Sequence, residues 1–243
     1  YSDVIVGALY FDAGQTDEGA AFVFHGGPLG IANGNPTTAN STLQSDQANA
    51  TLGWSSSGAG DVNGDGYADV IVGSPSYDFG QSKGAAFVFH GGPAGIANGT
   101  PSSANSTLQS DQADASFGIS ATGAGDVNGD GYADVIVGSY RYGLGQLNEG
   151  AAFVFHGSPS GISSGTAASA NSTLQSDEEG ALFGYRVSQA GDVNGDGYSD
   201  VIVSATEYGF SGAVFVFHGS PLGIANGNPA TANTTLLSNL SGA

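Results

Sequence analysis

The 243-residue chain contains no cysteine and no methionine, one tryptophan, and only three basic residues, Lys83, Arg141 and Arg186, against 22 acidic ones. Without cysteine there is no disulfide, no thiol catalysis and no thiolate zinc site. A net charge of −19 argues against nucleic acid, whose binding depends on Lys and Arg neutralising phosphates. It equally disfavours docking on anionic lipid. No apolar run reaches the length of a membrane span, so membrane insertion is not expected. So few basic residues leave trypsin-like proteases few cut sites, and the balance suits an extracellular or cell-surface protein that does without disulfides. The first residue is Tyr1, not an initiator methionine, so a processed or excised piece is expected.

What the chain has in abundance is glycine, 42 residues, and a repeat. D-V-N-G-D-G-Y-x-D occurs at Asp61–Asp69, Asp126–Asp134 and Asp192–Asp200, and Tyr1-Ser2-Asp3-Val4-Ile5-Val6 is the tail of a truncated fourth copy. The tyrosines of these copies, Tyr1, Tyr67, Tyr132 and Tyr198, are spaced by 66, 65 and 66 residues. A fixed period of this size signals a repeat architecture. In the second complete unit Phe117–Gly125 alternates as a strand does, and Val135–Gly138 is a β-branched run. Gly150–Gly157 and Ser172–Ser176 read as two further strands. Four short strands per unit without an amphipathic helix is the pattern of a propeller blade.

The expected fold is therefore all-β: a single β-propeller, or part of one, over residues 1–243, with four-stranded antiparallel blades in units of about 1–46, 47–111, 112–177 and 178–243. Three blades should be complete. The first should lack its inner strand, because the chain opens inside the acidic loop. The Ser-Asp aspartates 46, 111 and 177 each precede the next loop tyrosine by 21 residues; their counterpart is Asn239, and the chain stops at Ala243. Two explanations stand for the open edge: the chain is a segment of a longer array, or a strand from a neighbouring chain completes the blade.

The motif places oxygen donors at positions 1, 3, 5 and 9, with a backbone carbonyl expected at position 7. Hard Ca²⁺ takes six to eight such oxygens, and a glycine at position 6 permits the sharp turn. Three calcium sites are expected. The side-chain ligands would be Asp61, Asn63, Asp65 and Asp69; Asp126, Asn128, Asp130 and Asp134; and Asp192, Asn194, Asp196 and Asp200, with carbonyls from Tyr67, Tyr132 and Tyr198. An EF-hand does not fit, since its position-12 glutamate is replaced by Val72, Val137 or Val203 within a strand. A dockerin-like module would continue into a helix, and Mg²⁺ prefers to keep several waters. The metal-free alternative is a set of Asp/Asn/Gly turns, against which stands the repulsion of three close carboxylates. Three divalent cations would reduce the charge from −19 to −13 and leave the surface acidic. Asp3 fills position 9 of an absent loop and is expected to hold no tight metal on its own.

The chain resembles the FG-GAP repeats of the integrin α-subunit N-terminal β-propeller and its bacterial relatives. The resemblance rests on Phe117-Gly118 and Phe183-Gly184, with Leu52-Gly53 departing mildly, and on Gly73-Ser74-Pro75, with weaker forms at Gly7-Ala8-Leu9 and Gly138-Ser139-Tyr140. It covers essentially the whole chain in four in-register copies. It implies that each acidic loop joins the innermost strand of a blade to the second, and that closed rings usually hold seven blades.

Other features have plainer readings. His25, His90, His156 and His218 end the repeated Phe-Val-Phe-His and are read as strand-end residues bonded locally, on separate blades. Asn40, Asn105, Asn171 and Asn233 open Asn-x-Ser/Thr triplets, a single observation repeated with the blade, and are read as outer-strand residues. The loops Leu9–Glu18, Pro75–Lys83, Tyr140–Glu149 and Thr206–Ser211 vary most, and carry Tyr10, Phe11, Tyr77, Phe79, Tyr140, Tyr142, Tyr208 and Phe210. Such rings suit sugar or protein recognition, or packing between blades. Trp54 is read as core. The leading function is a calcium-binding adhesion or ligand-recognition module for a protein or glycan. The alternative is a structural subunit of a surface layer, filament or matrix assembled through the open blade edge. No nucleophile–base constellation stands out, so no enzyme is expected.

Overall fold

A computed structural model of the chain describes residues 1–78 and 80–238; the expectation placed on Asn239, and the ring of Phe79, lie outside them. The structure is all-β, in four sheets. The first holds β1 (Val4–Ala8), β2 (Ala20–Phe24) and β3 (Ser41–Gln44). The second holds β4 (Ser55–Gly60), β5 (Asp69–Ser74), β6 (Ala85–Phe89) and β7 (Ser106–Gln109). The third is built from β8 (Ser120–Gly125), β9 (Asp134–Ser139), β10 (Ala151–Phe155) and β12 (Ser172–Gln175). The two-residue β11 (Gly165–Thr166) lies between them in sequence and pairs parallel with β7, making the second sheet five-stranded. The fourth holds β13 (Phe183–Gly191), β14 (Asp200–Ala205), β15 (Ala213–Phe217) and β16 (Thr234–Leu237). Apart from β11, each sheet is an antiparallel meander in chain order.

Why the sheets stack follows from period-two alternation. In β5, Val70 and Val72 face the first sheet while Ile71 faces the third; in β9, Val135 and Val137 face the second sheet and Ile136 the fourth. The third strand of each sheet alternates likewise. Phe87 and Phe89 enter the seam before their sheet, Ala86 and Val88 the seam after it. Every seam therefore sets phenylalanines of one sheet against Ala, Val, Ile and Leu of the preceding one, a large-against-small fit that fills the space between twisted sheets. Phe117 lies 5.7 Å from Phe153 by ring centroids, and Phe183 repeats this against Phe215. Ile202 of β14 is only partly buried, since among the described residues no sheet packs on that face.

The outer edges are tied as well. Ser41 Oγ donates to the Ile96 carbonyl, Ser106 to Ile162 and Ser172 to Ile224, each linking an outermost strand to the turn of the next sheet. The Phe-Gly segments bridge to the preceding sheet at Gly84–Phe117 and Gly150–Phe183. Gly138 packs so closely on the Gly184 carbonyl that no Cβ would fit between them, which explains the glycine of each GAP-like segment.

Candidate metal centre

The acidic loops lie at one end of the sheets, where β4 passes to β5, β8 to β9 and β13 to β14. A bulge precedes each: the register shifts between Gly58 and Gly60, Gly123 and Gly125, and Gln189 and Gly191. The loops are folded by their own short side chains, as Asp and Asn do when they bond to backbone amides a few residues on. In the first loop Asp61 Oδ1 accepts from the amides of Gly64 at 2.7 Å and Asp65 at 3.1 Å, and Oδ2 from Gly66 at 2.8 Å. Asn63 Oδ1 accepts from Asp65 N at 3.0 Å, and Asp65 Oδ1 from Tyr67 N at 2.9 Å. Asn63 Nδ2 donates to Asp65 Oδ2 at 2.9 Å. The same bonds recur around Asp126, Asn128, Asp130 and Tyr132, and around Asp192, Asn194, Asp196 and Tyr198.

Position 9 is different. Asp69, Asp134 and Asp200 are the first residues of β5, β9 and β14 rather than loop residues, and all three are fully buried. Each accepts at 2.8 Å from the amide of the loop's second residue, Val62, Val127 or Val193. The other oxygen accepts from Gly91 at 2.7 Å, Gly157 at 2.8 Å or Gly219 at 2.9 Å, on the turn after the third strand. Asp3 makes the same bond to Gly26 at 2.8 Å, so the truncated copy keeps half of this clasp.

The electrostatics are uncompensated. Burial pushes the Asp134 carboxyl up to about 7 against the two amides that lower it, and Asp130 and Asp126 push it further. Burial raises Asp69 too. The exposed Asp65 is held below the usual range first by the Tyr67 amide, and Asp192 first by that of Gly197. Among the described residues no Lys or Arg pairs with any loop carboxylate. As the loops stand, acidic and histidine side chains nowhere converge into a metal-holding group among those residues; the candidate oxygens point at amide hydrogens. Each candidate set nevertheless sits within one loop, with positions 1, 3 and 5 at the surface and the position-9 carboxylate buried at the head of the adjoining strand. An all-oxygen donor set with three carboxylates and no cation beside them fits a hard divalent ion in its chemistry.

Three contacts at this end are not legible in the motif. The Asp61 carbonyl accepts from Ala133 N, and the Asp126 carbonyl from Ser199 N, both at 2.9 Å, so each loop is bonded to the next. The Tyr132 ring lies over Gly64 and that of Tyr198 over Gly129, where an added Cβ would stand 2.6 Å from the ring. Asn63 Nδ2 meets His90 Nδ1 at 3.2 Å, with Asn128–His156 at 3.3 Å and Asn194–His218 at 3.1 Å. An amide nitrogen only donates, so Nδ1 accepts and the imidazole proton resides on Nε2. Burial holds His156 below its ordinary value despite Asp130 and Asp126. The histidines are strand-end residues bonded locally, as expected, and His90, His156 and His218 also buttress position 3. The signal available was asparagine rather than aspartate at that position, since only the amide can donate. The asparagines of the Asn-x-Ser/Thr triplets have a shared role too: Asn40, Asn105, Asn171 and Asn233 each accept from the amide of the strand-end histidine, at 2.8 to 2.9 Å.

At the opposite end the aromatic loop residues divide. Phe11, Tyr77, Tyr142 and Tyr208 pack edge-to-face on Phe22, Phe87, Phe153 and Phe215. Tyr10 and Phe210 project, 66% and 96% exposed. Trp54 is 39% exposed and is not core: its counterpart Ile119 is covered, but the indole at the start of β4 reaches the surface of this end.

The FG-GAP repeat family model matches residues 53–89, 117–155 and 183–217. The chain carries three FG-GAP repeats. These are β-propeller repeats, in keeping with the all-β sheets above. The chain is 32% identical over 168 residues to integrin alpha-6 of Gallus gallus, covering 67% of this chain and 14% of that protein. It is 32% identical over 193 residues to integrin alpha-PS2 of Drosophila melanogaster, covering 74% and 13%. The phosphatidylinositol-glycan-specific phospholipase D of Rattus norvegicus is 32% identical over 185 residues, covering 71% and 21%. The chain thus spans about an eighth to a fifth of these relatives, and the likeness extends to an enzyme as well as to integrins.

Proposed function

We propose that the chain is an extracellular, calcium-stabilised propeller module that recognises a protein or glycan ligand through the end opposite its acidic loops. The observation that carries this reading is the division of labour between the two ends. One end repeats the same self-bonded acidic loop three times, while the other presents loops of different length with Tyr10, Phe210 and Trp54 exposed. Repeat units 1–46, 47–111, 112–177 and 178–243 would form consecutive blades of one propeller. In each complete unit the side chains of positions 1, 3, 5 and 9 and the carbonyl of position 7 would hold calcium. The ion would supply the positive charge that the buried position-9 carboxylate lacks. The role is binding rather than catalysis; likeness to integrin alpha subunits supports it, and likeness to a phospholipase leaves it to be tested. A direct test is binding of the immobilised protein to panels of purified matrix proteins and glycans in calcium. Ligand capture that disappears in Tyr10→Ala and Trp54→Ala, with melting unchanged, supports the reading; capture by neither panel overturns it.

A second reading has its own observation. Among the described residues β1 carries no partner on one edge, and Val4 and Val6 on it are 43% and 48% exposed. A strand from adjoining sequence or from another chain would pair there, giving a structural subunit of a layer or filament. Regular polymers in sedimentation at rising protein concentration would favour it over the first.

A further inference from the structure

Arg141 and Arg186 are two of the chain's three basic residues, and with 22 acids available neither forms an ion pair among the described residues. Each instead lies over the ring of the tyrosine before it. The Arg141 guanidinium carbon lies 5.2 Å from the Tyr140 ring centroid, and that of Arg186 lies 5.1 Å from Tyr185. The two tyrosines meet edge-to-face with centroids 5.5 Å apart. The result is one continuous row, Arg141–Tyr140–Tyr185–Arg186, built from the loop after β9 and the start of β13. It lies at the ligand-facing end, away from the acidic loops. Both arginines are exposed. Arg186 spends one nitrogen on two long bonds, to the Ile119 and Tyr185 carbonyls at 3.4 Å, and keeps the rest of its fork free.

A guanidinium placed over a ring face can still present its N–H fork outward, and that planar fork matches a carboxylate or sulfate bidentately. The contact also fixes the side chain in advance, which lowers the ordering cost of binding. Arg141 has a second role: it borders a groove of about 550 Å³ whose other walls include Gln112, Asp114, Gln146 and Asn148. That volume suits a small ligand, and its amide-rich walls suit hydroxyl groups better than apolar side chains. A densely charged polyanion would be repelled by the chain's net charge of −19, so sparse negative charge on a hydroxyl-rich chain is the better match.

We infer that this row and groove bind an anionic saccharide, with Arg141 and Arg186 taking its carboxylate or sulfate groups and the groove its hydroxyls. This rests on the recognition reading above and names the ligand class for that face. The test is titration calorimetry in calcium against unsulfated chondroitin, chondroitin sulfate, neutral dextran and polyglutamate. Binding to at least one anionic saccharide, absent with dextran, is expected; chondroitin binding assigns carboxylate, and binding only of the sulfated chains assigns sulfate. Arg141→Ala and Arg186→Ala should each weaken it by about tenfold. Arg141→Lys should recover only part, because the fork is lost, while Lys83→Ala should change nothing. Melting curves confirm that the variants remain folded. Equal binding to dextran, insensitivity to both arginines, polyglutamate binding as tight as the saccharides, or no binding to any probe would each overturn the inference. A protein ligand captured through Tyr10 and Trp54 alongside any of those results would leave the recognition reading standing.

Discussion

The two ends of the sheets solve different problems with the same repeat. At the acidic end the three loops are superimposable in their bonding, each aspartate and asparagine answering a backbone amide, and successive loops are joined through Asp61–Ala133 and Asp126–Ser199. At the other end the connections differ in length, and their aromatic residues split between seam packing and open exposure. A part that must fit its neighbour on both sides is held to one geometry. A loop with only solvent beyond it is free to diverge, and that freedom is where specificity can be written.

The sharpest way to break this comparison is at position 9. Asp134→Ala removes a buried acceptor from two buried amides, Val127 and Gly157. It should cost about 3 kcal/mol, from two unsatisfied donors, read as a lower denaturation midpoint in urea. Next comes the contact between loops. Gly129 has φ +74° and faces the Tyr198 ring, so Gly129→Ala combines backbone strain with a clash and should cost about 1–2 kcal/mol in thermal melting. At the opposite end Tyr10→Ala and Phe210→Ala should stay within about 0.5 kcal/mol of the parent. A comparable loss there would mean that this end is scaffold too.

Much of this was legible in the sequence, and for identifiable reasons. The alternation of Phe117–Gly125 and β-branched runs such as Val135–Gly138 gave the strands, and the spacing of Tyr1, Tyr67, Tyr132 and Tyr198 gave the number of sheets. The first sheet has three strands, as the truncated copy implied, and the second to fourth each hold the expected four-stranded meander. What was not legible lies between units. The parallel addition of Gly165–Thr166 to β7 depends on a bond across a seam, as does the Asn63–His90 contact. Trp54 was misplaced because its neighbours Leu52 and Gly53 are buried, and only the geometry of the sheet end shows the indole leaving the core. The boundary of the acidic loop moved by one residue, because Asp69, Asp134 and Asp200 read as loop ligands yet pair as strand residues.

The buried, uncompensated Asp134 and its repeats make cation binding the hinge of the account. The decisive measurement is the melting temperature of the intact chain in calcium against the same buffer with a chelator. Binding to the native state at a hundredfold excess over Kd contributes about 2.7 kcal/mol per site, so calcium should raise the midpoint by several degrees. Superimposable melting curves would contradict the claim that the three acidic loops are calcium staples.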